Sequence, residues 1–133
     1  MERISSFGVF VFALVAIMLP SAVHAGSSNE LYPLPFETYE KKWCKDHSGA
    51  SQVKMPDGTI AGCITSTHAV AFEFARNWKD AVGHALYISL ETGKKAGIVL
   101  IIENEKDLAY VKLLDATIAK FKLSIDVWKQ DWT

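Results

Sequence analysis

The chain has 133 residues, 50% of them hydrophobic and 11% aromatic, with 14 Lys and Arg against 15 Asp and Glu for a formal net charge of −1. That length supports one folded domain, and that apolar and aromatic content excludes a disordered or collagen-like chain. The balance of charge excludes an overall basic field for nucleic acid or an anionic membrane, so function has to be sought in local arrangements of residues.

Met1-Glu2-Arg3 leads into an apolar run from Phe7 to Leu19, followed by Pro20-Ser21-Ala22-Val23-His24-Ala25. A charged start, a short apolar stretch and a small residue at Ala25 predict a signal peptide over 1–25, cleaved after Ala25. The alternative, a retained anchor, needs about 20 apolar residues to span a bilayer, and this run has 13. Cleavage leaves no membrane span and predicts a secreted or periplasmic protein. Residues 26–35, small, polar and proline-containing, predict a flexible lead-in, and 36–133 the folded domain.

Within that domain, Phe36, Tyr39, Glu40 and Trp43 stand at helical spacing and predict a helix over 36–46, ended by Gly49. Residues 51–55 and 60–65 predict a hairpin about Pro56-Asp57-Gly58-Thr59. A third strand is predicted over 68–74, with His68, Val70, Phe72 and Phe74 on one face and Ala69, Ala71 and Glu73 on the other. The period then becomes helical over 75–92, where Trp78, Ala81, Val82, Ala85, Leu86 and Ser89 form the apolar stripe and Gly93 the stop. Ile98 to Ile102 is apolar on both faces, as a central covered strand requires. A further helix over 106–120 is expected to bury Leu108, Val111, Leu114, Ile118 and Phe121, and to lead to a parallel strand over 124–128. The order α-β-β-β-α-β-α-β predicts an α/β (α+β) fold built on one mixed sheet.

Cys44 and Cys63 are the two cysteines. Export into an oxidising compartment predicts a disulfide between them, worth about 3 kcal/mol through loop closure. The rival is a zinc site, since Cys44-x-x-His47 and Cys63-x4-His68 supply the residue types of a tetrahedral Cys2His2 set.

The segments Trp43-Cys44-Lys45-Asp46-His47, Pro56-Asp57-Gly58-Thr59 to Cys63-Ile64-Thr65 and Thr67-His68-Ala69-Val70 run on into Phe74-Ala75 and Trp78. With Asp80-Ala81-Val82-Gly83, Ala85-Leu86-Tyr87 and Gly97-Ile98-Val99-Leu100-Ile101, they resemble small exported proteins of the PD-(D/E)XK nuclease-like superfamily, over most of residues 26–133. The resemblance implies a restriction-endonuclease-like core of αβββαβ order. It also implies that active members hold Mg²⁺ on acids of the second and third strands, with a nearby lysine orienting the attacking water. Hard oxygen ligands suit Mg²⁺, which polarises the phosphoryl group and acidifies bound water. On that pattern Gly62 stands in place of the first acid, Ala71 in place of the glutamate and Asn77 in place of the lysine, while the acid two places on survives as Glu73. A related branch carries Gln-x-x-x-Tyr on the following helix, where this chain has His84 and Ile88 and keeps the adjacent Tyr87.

A glycine, an alanine and an asparagine supply neither the oxygens nor the positive charge of that chemistry. The reading is therefore an exported nuclease-fold protein, catalytically inactive and without a cofactor, acting as a binding or interaction module. Two alternatives stand beside it: a rewired Mg²⁺-dependent phosphodiesterase using Glu73 with Asp57, Asp80 or His84, and a structural envelope protein. Glu73, Asp80 and His84 are candidates for a polar cleft, whereas Asn77, Asp80, His84, Tyr87 and Glu91 also fit the solvated face of an amphipathic helix. His68 reads as a core or edge histidine. No Gly-x-Ser-x-Gly elbow or other nucleophile setting and no phosphate-cradling glycine loop is visible, and Lys94-Lys95, Lys120 and Lys122 make only a small basic edge. The partner is left unnamed by the sequence.

Overall fold

The computed structural model describes residues 35–131. The predicted leader over 1–25 and the lead-in as far as residue 34 lie outside the described residues. Helix α1 (Phe36–Asp46) is followed by β1 (Ala50–Lys54), β2 (Ile60–Ile64), β3 (His68–Phe74), α2 (Trp78–Thr92), β4 (Lys95–Ile102), α3 (Leu108–Phe121) and β5 (Ile125–Asp131). The strands form one sheet in the order β1-β2-β3-β4-β5. The first three are antiparallel neighbours and the last three parallel ones. This division follows from the connections, because turns join antiparallel neighbours and parallel neighbours need a crossover, here α2 and α3.

The two faces of the sheet bury different helices. Trp43 and Cys44 of α1 pack with Cys63, Val70, Phe72 and Val99 on one side. Ala81, Ala85 and Ile88 of α2 and Val111 and Leu114 of α3 pack with Ala69, Ala71, Ile98 and Leu100 on the other. Strand β4, paired on both edges and covered on both faces, has no solvent exposure from Ile98 to Ile101, as its unbroken apolar run predicts.

Three details correct the sequence reading. The buried stripe of α2 includes Ile88, which is fully buried, whereas Leu86 is 41% exposed. The helix is turned so that Trp78, Ala81, Ala85 and Ile88 meet the sheet at three- and four-residue steps. In α3, Leu108 and Phe121, the first and last residues of the helix, lie outside the core, 42% and 70% exposed. At the end of α1, the left-handed residue is Ser48 rather than Gly49. Ser48 donates to Lys45 O at 3.1 Å and Gly49 to Cys44 O at 2.9 Å, a Schellman stop. Gly49 is needed for space: a Cβ there would lie 2.3 Å from Cys63 Sγ and 2.8 Å from Cys44 Sγ.

Those sulfurs form a disulfide, which ties α1 to β2 across 19 positions of chain. Among the described residues no helix is long and apolar enough to cross a membrane.

Candidate functional site, a cleft in the fork of β2 and β3

Strands β2 and β3 pair only through Cys63–Val70 and Ile64–Ala69. Beyond those pairs the ladder between them stops, and backbone groups that a regular ladder would satisfy need other partners. His84 of α2 supplies one, its Nε2 lying 3.0 Å from the Ile60 carbonyl oxygen. Since a carbonyl only accepts, Nε2 carries the proton and Nδ1 is left free in the neutral ring.

A cavity of about 220 Å³ opens in this fork, lined by Phe36, Glu37 and Glu40 of α1, Gln52 of β1, Ile60, Phe72, Glu73 and His84. Glu40 belongs to the buried stripe of α1 and is 6% exposed. Its carboxylate accepts a hydrogen bond from the Gln52 amide. Gln52 reaches it from a left-handed backbone, φ 58°, inside β1. Burial pushes the Glu40 pKa up to about 7, against the Gln52 hydrogen bond and with the help of the neighbouring Glu37 and Glu73 charges. Burial likewise raises the Glu73 pKa, opposed by a hydrogen bond from Asn77 and the nearby His84, while Asp80 adds to the rise. Two carboxyls thus approach one cavity from opposite sides of the sheet, each held partly out of water.

The candidates of the sequence reading separate here. Glu73 and His84 line the cavity; Asp80 and Asn77 influence Glu73 from the start of α2 without lining it. Gly62 faces α1: a Cβ there would lie 2.3 Å from Phe72 Cδ2 and 2.8 Å from Glu40 Oε1. Ala71 is fully buried in the apolar layer beneath α2 and α3. Asp57 sits in the β1–β2 turn, where the Thr59 backbone N–H and hydroxyl, each at 2.8 Å, lower its pKa. Glu40 and Gln52 were missed. The sequence does carry a signal for Glu40, an acid within an otherwise aromatic helical stripe, but none for Gln52.

The Mg²⁺ that the resemblance implies for active members of that superfamily does not fit these residues. Gly62 has no room for a carboxylate, Ala71 points into hydrocarbon, and His84 has spent Nε2 on a carbonyl. Among the described residues no three His, Cys, Asp or Glu side chains are grouped so as to hold a metal ion. The zinc alternative for Cys44 and Cys63 gives way to the disulfide; His47 stacks on Trp43 with ring centroids 3.6 Å apart, and His68 bonds to Thr67 and Asp126.

Compared with known proteins, the chain matches no family model, no curated protein and no solved structure.

Proposed function

We propose that the protein is an exported, nuclease-fold binding module whose fork cleft takes an organic cation, a primary amine or guanidinium such as a basic side chain of a partner. The observation that carries this is the pair of carboxyls, Glu40 and Glu73, facing one cavity beside the rings of Phe36 and Phe72. Paired carboxylates are acceptor-only and poorly hydrated in such a site, and an aromatic ring beside them can add cation–π attraction. The chain seats a guanidinium of its own beside the cleft: Arg76 lies 4.5 Å over the Phe74 ring, which in turn packs on Phe36. The antiparallel-then-parallel sheet and the resemblance support the nuclease-fold part of the reading. The predicted leader and the disulfide support export, and protein recovered from the medium or periplasm is expected to begin at Gly26.

Calorimetric titration with arginine amide tests the cleft, alongside DNA and RNA cleavage assays with Mg²⁺ or Mn²⁺. Binding is expected to weaken about tenfold or more in Glu40→Gln and in Glu73→Gln, as loss of a charge-assisted hydrogen bond implies. Cleavage is expected to stay at the level of Glu73→Ala. Equal affinity in all three proteins would remove the cation reading. Metal-dependent cleavage that disappears in Glu73→Ala would replace it with the phosphodiesterase.

A further inference from the structure

At the other end of α1 lies a second cavity of about 230 Å³, walled by Trp43, His47 and Trp128 and floored by the turn between β2 and β3. The turn is built by one side chain: Thr65 Oγ1 accepts the backbone N–H of Thr67 at 3.3 Å and of His68 at 2.9 Å. This fixes the two residues that follow. Thr67 Oγ1 lies 2.7 Å from His68 Nδ1, and His68 Nε2 lies 2.7 Å from Asp126 Oδ2 on β5.

Chemistry orients this chain of bonds. A carboxylate only accepts, so Nε2 holds the imidazole proton, and in the neutral ring Nδ1 is the acceptor for the Thr67 hydroxyl. The His68 hydrogen bond, joined by Lys95 Nζ at 3.0 Å from the same Asp126 oxygen, holds that carboxyl below the usual carboxylate range. The Trp128 ring packs T-shaped against the imidazole, centroids 5.2 Å apart. Lys94 Nζ, on the carbonyls of Thr65 at 2.6 Å and Ser66 at 3.1 Å, places positive charge beside the turn. Thr67 is solvent-exposed. A hydroxyl on a base, and that base on an orienting carboxylate, is the arrangement that activates a weak nucleophile.

We propose that Thr67, His68 and Asp126 form a nucleophile–base–carboxylate relay for acyl transfer, with a small carboxylic ester seated against Trp43 and Trp128 as substrate. Thr67 Oγ attacks the ester carbonyl carbon while its proton passes to His68 Nδ1. Collapse of the adduct breaks the bond to the alkoxy oxygen, which leaves as the alcohol with that proton. Water then gives a proton to Nδ1 and its oxygen to the acyl carbon; the bond to Thr67 breaks, the threonine oxygen recovers the proton, and the acid departs. Thr67 and His68 are the catalytic residues, and Asp126 is a positioning residue. The relay shares no side chain with the fork cleft and stands apart from the cation reading.

The test is hydrolysis of p-nitrophenyl acetate by the purified, disulfide-bonded protein, with acid-quenched samples mapped for acetylated peptides. Turnover is expected to fall by about 100-fold or more in Thr67→Ala and His68→Gln, the scale of lost base-assisted nucleophilic catalysis, and to persist in Thr67→Ser. Asp126→Asn offers an amide hydrogen to Nε2 and so favours the other tautomer; it is expected to lower kcat with KM unchanged. A hydroxylamine-labile acetyl group is expected on the peptide containing Thr67, which separates it from acetylated lysine. Equal turnover in wild type and Thr67→Ala, or turnover no greater than that of free imidazole at the same concentration, would overturn the proposal.

Discussion

Glu40 shows how one side chain couples the cleft to stability. Its pKa is about 7 in the folded chain against an ordinary 4.5, so over that interval the folded state holds a proton that the unfolded state releases. Stability from this group is therefore undiminished below 4.5, falls as pH rises, and carries its full penalty above about 7. Discounted for water in the cleft, the penalty is about 1–2 kcal/mol. Glu40→Gln keeps the shape and cannot ionise. Denaturation of both proteins across the interval is expected to show them alike at the acid end and the variant more stable by that amount at the alkaline end. A difference that does not change with pH would mean that Glu40 ionises as freely as an exposed carboxylate. The same proton links ligand to pH: a cation entering the cleft favours the ionised carboxyl and releases the proton near neutrality.

At the scale of elements, the cleft exists because β2 and β3 stop pairing after Cys63–Val70 and Ile64–Ala69, which lets Glu40 meet Glu73 from the opposite face. Filling the fork has a cost. Gly62→Ala places a Cβ against Phe72 and Glu40, and overpacking of this kind destabilises by about 1–3 kcal/mol; Gly62→Asp adds a third carboxylate and is expected to cost more. Ala71→Glu buries a carboxylate among Ala75, Ala85 and Ile98, and is expected to cost about 4 kcal/mol or more. Combining these changes with Asn77→Lys is not expected to create an Mg²⁺ site, because Ala71 lies beneath α2 and Gly62 beneath α1. A denaturation midpoint that Mg²⁺ raises in the triple variant would show that the three positions do converge. The strands and helices were legible because periods of 2 and 3.6 survive in the local sequence. The fork was not, because the loss of pairing between two strands leaves no periodic trace. The Asp126 partner of His68 was hidden for a related reason: 58 positions separate them, and only the β3–β4–β5 register brings them together.

For the molecule as a whole, α1 is the element on which both cavities depend. Its first turns give Phe36, Glu37 and Glu40 to the fork cleft, and its last turn gives Trp43, with the C-cap residue His47 just beyond it, to the second cavity. It precedes every strand in the chain and packs on the face opposite the two crossover helices, so the crossovers do nothing to hold it. Besides the short main-chain link into β1, it is tied covalently to the sheet by Cys44–Cys63, supported by the contacts of Trp43 and Phe36 with Phe72, Val99 and Trp128. Replacing both cysteines by alanine is expected to lower global stability by about 3 kcal/mol through loop entropy, but the local consequence is the more diagnostic. Amide hydrogen exchange in α1 is expected to accelerate well beyond that in β4, whose hydrogen bonds run to strands on both sides. Arginine-amide binding and ester hydrolysis are expected to weaken in parallel, since each needs α1 in place. Reduction of the wild-type disulfide is expected to reproduce the variant, so that the protein works fully only in an oxidising compartment. If exchange in α1 and β4 rose equally, the disulfide would be stabilising the sheet as one unit, and the dependence of both cavities on a separately tethered helix would be lost.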